Sequence, residues 1–364
     1  MKENRVRPQI MSLQGVRAIA CLSIITYHCG IGKWGTWGVS VFFLLSGFLL
    51  VYNYYDVRLK TDIKSCILFS FNKIRKIYLL HIIMMNATLV LFCLRMGKKE
   101  VLINAELQLK QIIVNILLLQ SWFLEEEIYF SLNGVSWFLS VYAFMCIMFP
   151  IILCIVRKAV KSKKTFSIIL FVYFLQVIAG IISQYIQNNL LELGNFCKWF
   201  TYVFPVFRLG EFVIGSLVGG VFLEEKHKIS DVCATSLELV IVGLVIVVQL
   251  VNKYDILNGR YEFFKYSLIH TPVVTGLIYI FALNCGKISK LLSCRLIVNV
   301  GNISAYMFLI HQVVIRYVDY FLIKTYGVCL ETWTRLAFII VVTLGVTQIY
   351  KVLERMYNKE VCNG

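Results

Sequence analysis

Residues 13–30, LQGVRAIACLSIITYHCG, form an apolar run long enough for a membrane helix, and this run carries one arginine and one histidine. Similar apolar runs recur along all 364 residues, of which 59% are hydrophobic, 15% are charged and only 4 are prolines. Soluble domains are about a quarter charged. The runs are continuous and do not alternate every second residue, which favours membrane helices over barrel strands. The sequence therefore predicts an all-α, polytopic membrane helix bundle.

About ten transmembrane helices are expected, because each needs roughly 20 mainly apolar residues. The predicted spans are 13–30, 36–55, 77–96, 136–156, 166–186, 203–223, 236–252, 266–284, 303–323 and 333–352. A further apolar stretch, 112–123, is too short to cross and is predicted to be interfacial or re-entrant. We expect one integral membrane domain over residues 1–364, with no appended soluble domain.

The distribution of basic residues predicts the orientation of the bundle. With ten spans, the segments on the side of the termini hold 22 lysines and arginines and those on the opposite side hold 11, counting residues at span ends. Under the positive-inside rule, both termini then lie in the cytoplasm and the protein in the cell membrane. The net charge of +16 is therefore mainly a topology signal with some attraction to anionic lipid, and nothing indicates nucleic acid. The 12 cysteines are scattered, so neither a disulfide framework nor a metal site is expected.

Arg17 and His28 are predicted to share one face of the first span. Eleven residues at 100° each end about 20° beyond three full turns, with a rise of about 16 Å. Arginine suits the clamping of phosphate groups, and histidine exchanges protons near neutral pH. The alternative is that Arg17 snorkels at the helix end and His28 is a satisfied interfacial ring.

The segments that follow resemble acyltransferase family 3, the integral membrane O-acyltransferases of cell-surface carbohydrates. Arg17-x10-His28 is followed by WGVSVFFLLSGFLL at 37–50. FNKIRKIYLLH at 71–81, WFLSVYAFMCIMFP at 137–150, FRLGEFVIGSLVGG at 207–220 and VGNISAYMFLIHQVV at 300–314 are similar to later motifs of that family, in the same order. The resemblance extends from about residue 10 to 352.

The resemblance implies that Arg17 and His28 are essential and that cytoplasmic acetyl-CoA is the acyl donor, used as a co-substrate without a metal. His28 would either deprotonate the acceptor hydroxyl or carry the acetyl group transiently. The family commonly has two arginines three residues apart in a basic cytoplasmic loop. This chain offers Lys73, Arg75 and Lys76 there, as donor-binding residues or as positive-inside anchors.

Other motif positions are expected to support the cavity. Ser46, Gly47 and Phe48 would shape it next to His28, although Ser46 could equally bond to its own helix backbone. The supporting set also contains Trp137, the pair Arg208 and Glu211, and His311.

Each of these supporting residues also has a plainer interpretation. Trp137 could be an interfacial anchor, and the acidic residue that often follows it in the family is Tyr142 here. Arg208 and Glu211 are three residues apart and can pair within the membrane, as a structural ion pair. His81 and His270 are expected to be packing or interfacial rings.

The leading hypothesis is a membrane O-acyltransferase that moves acetyl from acetyl-CoA to a hydroxyl of an envelope or exported polysaccharide or a lipid-linked glycan. Either the bundle completes the transfer or a separate extracytoplasmic partner protein does. The alternative is a transporter or exporter of a small metabolite or glycan without acyl chemistry. A non-catalytic scaffold fits poorly, because a buried Arg/His pair is costly to keep in a membrane.

Overall fold

The computed structural model describes residues 7–363, apart from 96–104, 191–193, 226–228, 255, 257–260 and 329. Within these ranges the chain forms helices joined by turns and contains no strand. Helices of twelve or more residues are labelled here in chain order. They are α1 Met11–His28, α2 Gly35–Tyr54, α3 Ile63–Arg95, α4 Ala105–Ile116, α5 Trp137–Lys161, α6 Thr165–Asn189, α7 Pro205–Glu224, α8 Asp231–Lys253, α9 Thr271–Ala282, α10 Arg295–Val318 and α11 Thr332–Asn363.

Eight helical segments of the described chain are long and apolar enough to cross a membrane, so the protein is an integral membrane protein. The two predicted spans outside this set are α1 and α9. The 18 residues of α1 include Gln14 and Arg17, which lower its apolar character. The α9 helix has only 12 residues and follows a π-helical turn at Phe264–Leu268. The number of spans is therefore eight by length and composition, and ten only if these two are counted.

The segment around Lys73 differs from its predicted form, and the short apolar stretch 112–123 is not one continuous helix. The α3 helix begins at Ile63, so the basic stretch that contains Lys73 is helical and not a loop. The apolar stretch 112–123 is broken, because α4 ends at Ile116 and a 3₁₀ turn follows at Gln120–Trp122. Between them Leu118 has a φ of 54°, which an α-helix does not allow.

The α2 helix lies at the centre of the bundle and α6 at its periphery, since 78% of the apolar window of α2 is buried against 17% for α6. The α2 and α7 helices touch through two glycines. A side chain at Gly47 would overlap the backbone of Phe212, and one at Gly215 would overlap that of Leu44. Glycine permits such close approach of membrane helices, and this contact packs α7 directly against α2.

Candidate active site

Arg17 faces the interior of the bundle. Two adjoining cavities of about 100 and 140 Å³ are both lined by Arg17, Phe42, Ser46 and Tyr142, and we call them together the Arg17 cavity. The guanidinium Nη1 donates to Gln14 Oε1 at 3.4 Å, which leaves most of its donors for other partners. Arg17 is therefore a cation at the wall of an internal space and does not face lipid.

His28 lies at the other end of α1, against a larger cavity of about 630 Å³, which we call the His28 cavity. Its Nδ1 is 3.0 Å from Nε2 of His311 on α10. The remaining ring nitrogen of His311, Nδ1, is 3.2 Å from the carbonyl oxygen of Met307. The structure therefore brings together two histidines that are separated by 283 positions in the sequence.

The contacts of the two rings assign their tautomers. A carbonyl oxygen only accepts, so His311 carries its proton on Nδ1 and its Nε2 accepts from Nδ1–H of His28. His28 then has an unprotonated Nε2. An imidazole with an unprotonated nitrogen beside a cavity can take a proton from a bound hydroxyl.

The His28 cavity is rich in aromatic rings and in cations. Six aromatic residues line it: Tyr27, Phe130, Trp137, Tyr202, Tyr266 and Phe308. Its charged lining comprises Lys33, Lys198, Lys265, Arg316 and one carboxylate, Glu126. Such a mixture of flat apolar surfaces and a few polar groups is typical of a small-molecule site.

Three phenyl rings stand between the two cavities. Phe42 and Phe138 line the Arg17 cavity, while Phe308 lines both it and the His28 cavity. The ring centroids of Phe42 and Phe138 lie 6.0 and 5.1 Å, respectively, from that of Phe308. Phe42 and Phe138 are themselves 6.0 Å apart. We call this set the phenyl wall, and it separates the imidazole from the guanidinium along α1.

Of the three candidate donor-binding residues on α3, Lys73 is the one directed into the bundle. Its Nζ donates to the hydroxyl of Tyr54 at 2.5 Å and lies 4.2 Å from the centroid of that ring. Arg75 and Lys76 are exposed. Because the segment is helical, Lys73 is directed into the bundle while Arg75 and Lys76 remain exposed. A loop would not have distinguished the three residues in this way.

The remaining candidates divide between cavity lining and core. Ser46 lines the Arg17 cavity but donates to the Phe42 carbonyl at 2.6 Å, so its hydroxyl is satisfied within its own helix. Gly47 packs on α7 and Phe48 is fully buried. Trp137 is 4% exposed and lines the His28 cavity, so it is not a surface anchor.

Arg208 and Glu211 on α7 form a buried ion pair. Arg208 Nη2 and Glu211 Oε2 are 2.8 Å apart, and both side chains are fully buried. The guanidinium carbon lies 4.8 Å from the ring of Phe43 and 5.9 Å from that of Tyr202. Because Tyr202 also lines the His28 cavity, the pair lies behind the cavity wall and outside its lining.

Sequence reasoning missed a polar group beside the His28 cavity. The ring nitrogen Nε2 of His270 lies 3.1 Å from Thr36 Oγ1 and 3.2 Å from Asn252 Nδ2, and both of these partners line the cavity. None of the sequence motifs quoted above contains His270, so none predicts this role.

By contrast, His81 bonds to the Asn115 carbonyl at 3.0 Å, away from the cavities described above. No cluster of metal-ligating side chains occurs in the described part of the chain.

An interior imidazole with a free basic nitrogen, set in a helical membrane bundle, fits a membrane transferase. Residues 10–352 match the acyltransferase domain of acyltransferase family 3. The chain belongs to this family and is an integral membrane acyltransferase.

One curated relative is acyltransferase MdmB of Streptomyces mycarofaciens. It is 24% identical over 331 residues, which cover 85% of this chain and 80% of the relative. No solved structure matches the chain.

Proposed function

We propose that the protein transfers an acetyl group from cytoplasmic acetyl-CoA to a hydroxyl of an envelope or exported glycan, or of its lipid-linked precursor, at the cell membrane. The observation that carries this proposal is the His28–His311 pair, whose tautomers leave a basic nitrogen at a cavity large enough for a sugar. Both termini lie in the cytoplasm in this proposal, so the Arg17 cavity is the donor side and the His28 cavity the acceptor side.

The donor binds with its phosphates at the Arg17 end of α1. Coenzyme A joins a phosphate-rich head to its thioester through a long, thin arm. That arm is comparable with the rise of about 16 Å between Arg17 and His28. The acetyl group can therefore reach His28 while the phosphates stay with Arg17 and Lys73, once the phenyl wall between the cavities opens to admit the arm.

In the chemical step, Nε2 of His28 takes the proton of the acceptor hydroxyl as its oxygen attacks the thioester carbonyl. The tetrahedral intermediate then collapses, its carbon–sulfur bond breaks, and the thiolate of coenzyme A takes the proton from His28. Throughout, Nδ1–H of His28 stays bonded to His311, which holds the ring in one orientation. His28 is thus assigned as the general base, and no acyl-enzyme is needed.

The Lys73→Met variant should raise the KM for acetyl-CoA by about ten-fold, since a hydrogen bond to a charged group contributes about 1.5–3 kcal/mol. The matched control is Arg75→Met, which removes an exposed cation two residues away on the same helix. Steady-state kinetics of coenzyme A release measure both. A higher KM in Arg75→Met with an unchanged KM in Lys73→Met would contradict the assignment.

Replacing His311 should lower kcat, because His28 Nδ1–H loses its acceptor. The tautomer of His28 with an unprotonated Nε2 is then no longer stabilised. A general base raises the rate by roughly 100-fold or more, and the kcat of the His311→Phe variant should lose part of this increase. It should also change the pH profile of kcat. The His311→Gln variant keeps an acceptor oxygen and should recover part of the rate. Equal kcat and pH profile in all three proteins would show that His311 only fills space.

The test of the proposed function is release of free coenzyme A. Purified protein in phosphatidylcholine nanodiscs is mixed with acetyl-CoA and a glycan acceptor, and the free thiol is followed with a chromogenic reagent. Mass spectrometry of the acceptor should show one added acetyl group per thiol released. A transporter would release no thiol and leave the acceptor unmodified. In cells, the same mass difference on surface carbohydrate should disappear in the His28→Ala strain.

A further inference from the structure

Cationic side chains outnumber carboxylates in the lining of the His28 cavity. Four cationic side chains and one carboxylate line it. That carboxylate, Glu126, is already paired, with Oε1 at 2.9 Å from Lys198 Nζ and Oε2 at 3.1 Å from Asn195 Nδ2. Among the described residues, no carboxylate forms an ion pair with the cations Lys33 and Arg316.

These cations come from separate parts of the chain and meet at one space. Lys33 lies in the turn between α1 and α2, Lys265 lies in the π-helical turn before α9, and Arg316 lies near the end of α10. In the ten-span orientation of the proposed function, Lys33 and Lys265 lie on the side opposite to the termini, which has only half as many basic residues as the other side. A positive-inside anchor belongs on the opposite side, so orientation in the membrane does not account for this cluster.

Arg316 is held in place beside the catalytic pair. Its Nη1 donates to the carbonyl of Leu132, and its own backbone carbonyl accepts from Arg95 Nη2 at 3.0 Å. It is on the same helix as His311, five residues further on, which is a rise of about 7.5 Å. Gln312, four residues before Arg316 and so on the same face of α10, also lines the cavity. The guanidinium is therefore a fixed cation about one and a half helical turns from the basic imidazole pair.

We propose that the acyl acceptor is acidic, carrying a carboxylate or phosphate that binds to Arg316 and Lys33 while its hydroxyl meets His28. A planar guanidinium pairs with either anion through two parallel hydrogen bonds. Arg316, Lys33 and His28 line the same cavity, so the acidic group and the hydroxyl that is acylated can belong to one acceptor molecule. The aromatic rings of the lining cover the apolar faces of the same sugar. This inference rests on the proposed function for the identity of the hydroxyl, but the anion site itself does not depend on acyl transfer.

The test compares neutral and acidic acceptors built on the same sugar. Methyl glucoside is compared with methyl glucuronoside, and glucose with glucose 1-phosphate, in zwitterionic phosphatidylcholine nanodiscs so that no anionic lipid headgroup competes. Acceptor-stimulated coenzyme A release gives kcat/KM for each. We expect the acidic member of at least one pair to be preferred by about ten- to a hundred-fold, as hydrogen bonds to charged groups allow. The pair that shows the preference distinguishes a carboxylate from a phosphate.

Variants then locate the anion site. The Arg316→Gln and Lys33→Gln variants should each reduce the ratio of acidic to neutral kcat/KM by about ten-fold. Lys287→Gln, which removes an exposed cation remote from this cavity, should leave that ratio as in the wild type. Equal use of acidic and neutral acceptors by the wild type, or a ratio unchanged in Arg316→Gln and Lys33→Gln, overturns the proposal.

A binding measurement separates this proposal from the proposed function. Fluorescent derivatives of the four acceptors are titrated into the protein without acetyl-CoA. Binding of an acidic derivative that weakens in Arg316→Gln supports the anion site even if no coenzyme A is released, in which case only the acyl-transfer proposal fails. Release of coenzyme A with neutral acceptors, together with equal binding of acidic and neutral derivatives, leaves acyl transfer standing and rejects the anion site.

Discussion

His28→Ala should abolish acyl transfer while acetyl-CoA still binds. General base catalysis contributes about 100- to 10,000-fold, so kcat should fall by at least about 100-fold. The proposed phosphate contacts at the other end of α1 are untouched by this substitution. Single-turnover coenzyme A release measures the rate, and equilibrium binding of a non-hydrolysable thioether analogue of acetyl-CoA measures the affinity. The matched control is His81→Gln, since His81 is a buried histidine that bonds to a backbone carbonyl away from the cavities.

Arg17→Gln should show the opposite pattern. Loss of a charge-assisted contact to phosphate should raise the KM for acetyl-CoA by about ten- to a hundred-fold, with a smaller effect on the single-turnover rate at saturating donor. Retained affinity in Arg17→Gln together with lost affinity in His28→Ala would reverse the two ends of α1. That result would place the donor phosphates at the His28 cavity and reject the proposed arrangement.

Breaking the pair between Arg208 and Glu211 should unfold the protein more readily than any surface change. Arg208→Met leaves the Glu211 carboxylate buried without its counter-ion, and loss of one partner of a buried pair costs about 3–5 kcal/mol. The double variant Arg208→Met/Glu211→Leu removes both charges and should recover most of this loss. Thermal unfolding in detergent micelles, followed by circular dichroism, measures all three proteins.

An exposed ion pair provides the control for that measurement. Lys290 Nζ lies 2.5 Å from Asp231 Oδ2, with both side chains more than 60% exposed, and pairs of this kind contribute about 0–1 kcal/mol. Lys290→Met should therefore change the melting temperature little. If the double variant at α7 were as unstable as Arg208→Met, the two charges would stabilise the fold through contacts other than their own pairing. The interpretation as a structural ion pair would then be wrong.

Features that depend on local helix geometry could be predicted from the sequence. The positions of Arg17 and His28 on one face follow from their spacing, because the angle between helical residues depends only on how far apart they are. For the same reason the three-residue spacing of Arg208 and Glu211 was enough to predict their contact, which the structure shows at 2.8 Å. The helical membrane class follows from continuous apolar runs, and the family match over residues 10–352 confirms the resemblance to acyltransferase family 3.

Features that depend on distant contacts or on helix limits could not be predicted. Nothing near His28 indicates that its Nδ1 meets His311, since only the packing of α1 on α10 joins them. The direction of Lys73 depends on the rotation of α3, and the apolar pattern predicts a helix only from residue 77 onward. The shortness of α9 was hidden because the apolar character of 266–284 continues through the π-helical turn at Phe264–Leu268.

The phenyl wall has a consequence for the cell's energy supply. The His28 cavity holds histidine, lysine and arginine side chains, and the Arg17 cavity holds hydroxyl and amide groups, so both ends of the bundle can hold water. A continuous file of water molecules between them would conduct protons through the bilayer. Phenyl rings have no atom that can pass a proton along such a file. Phe42, Phe138 and Phe308, where their rings meet between the two cavities, would therefore interrupt such a file and oppose a proton leak.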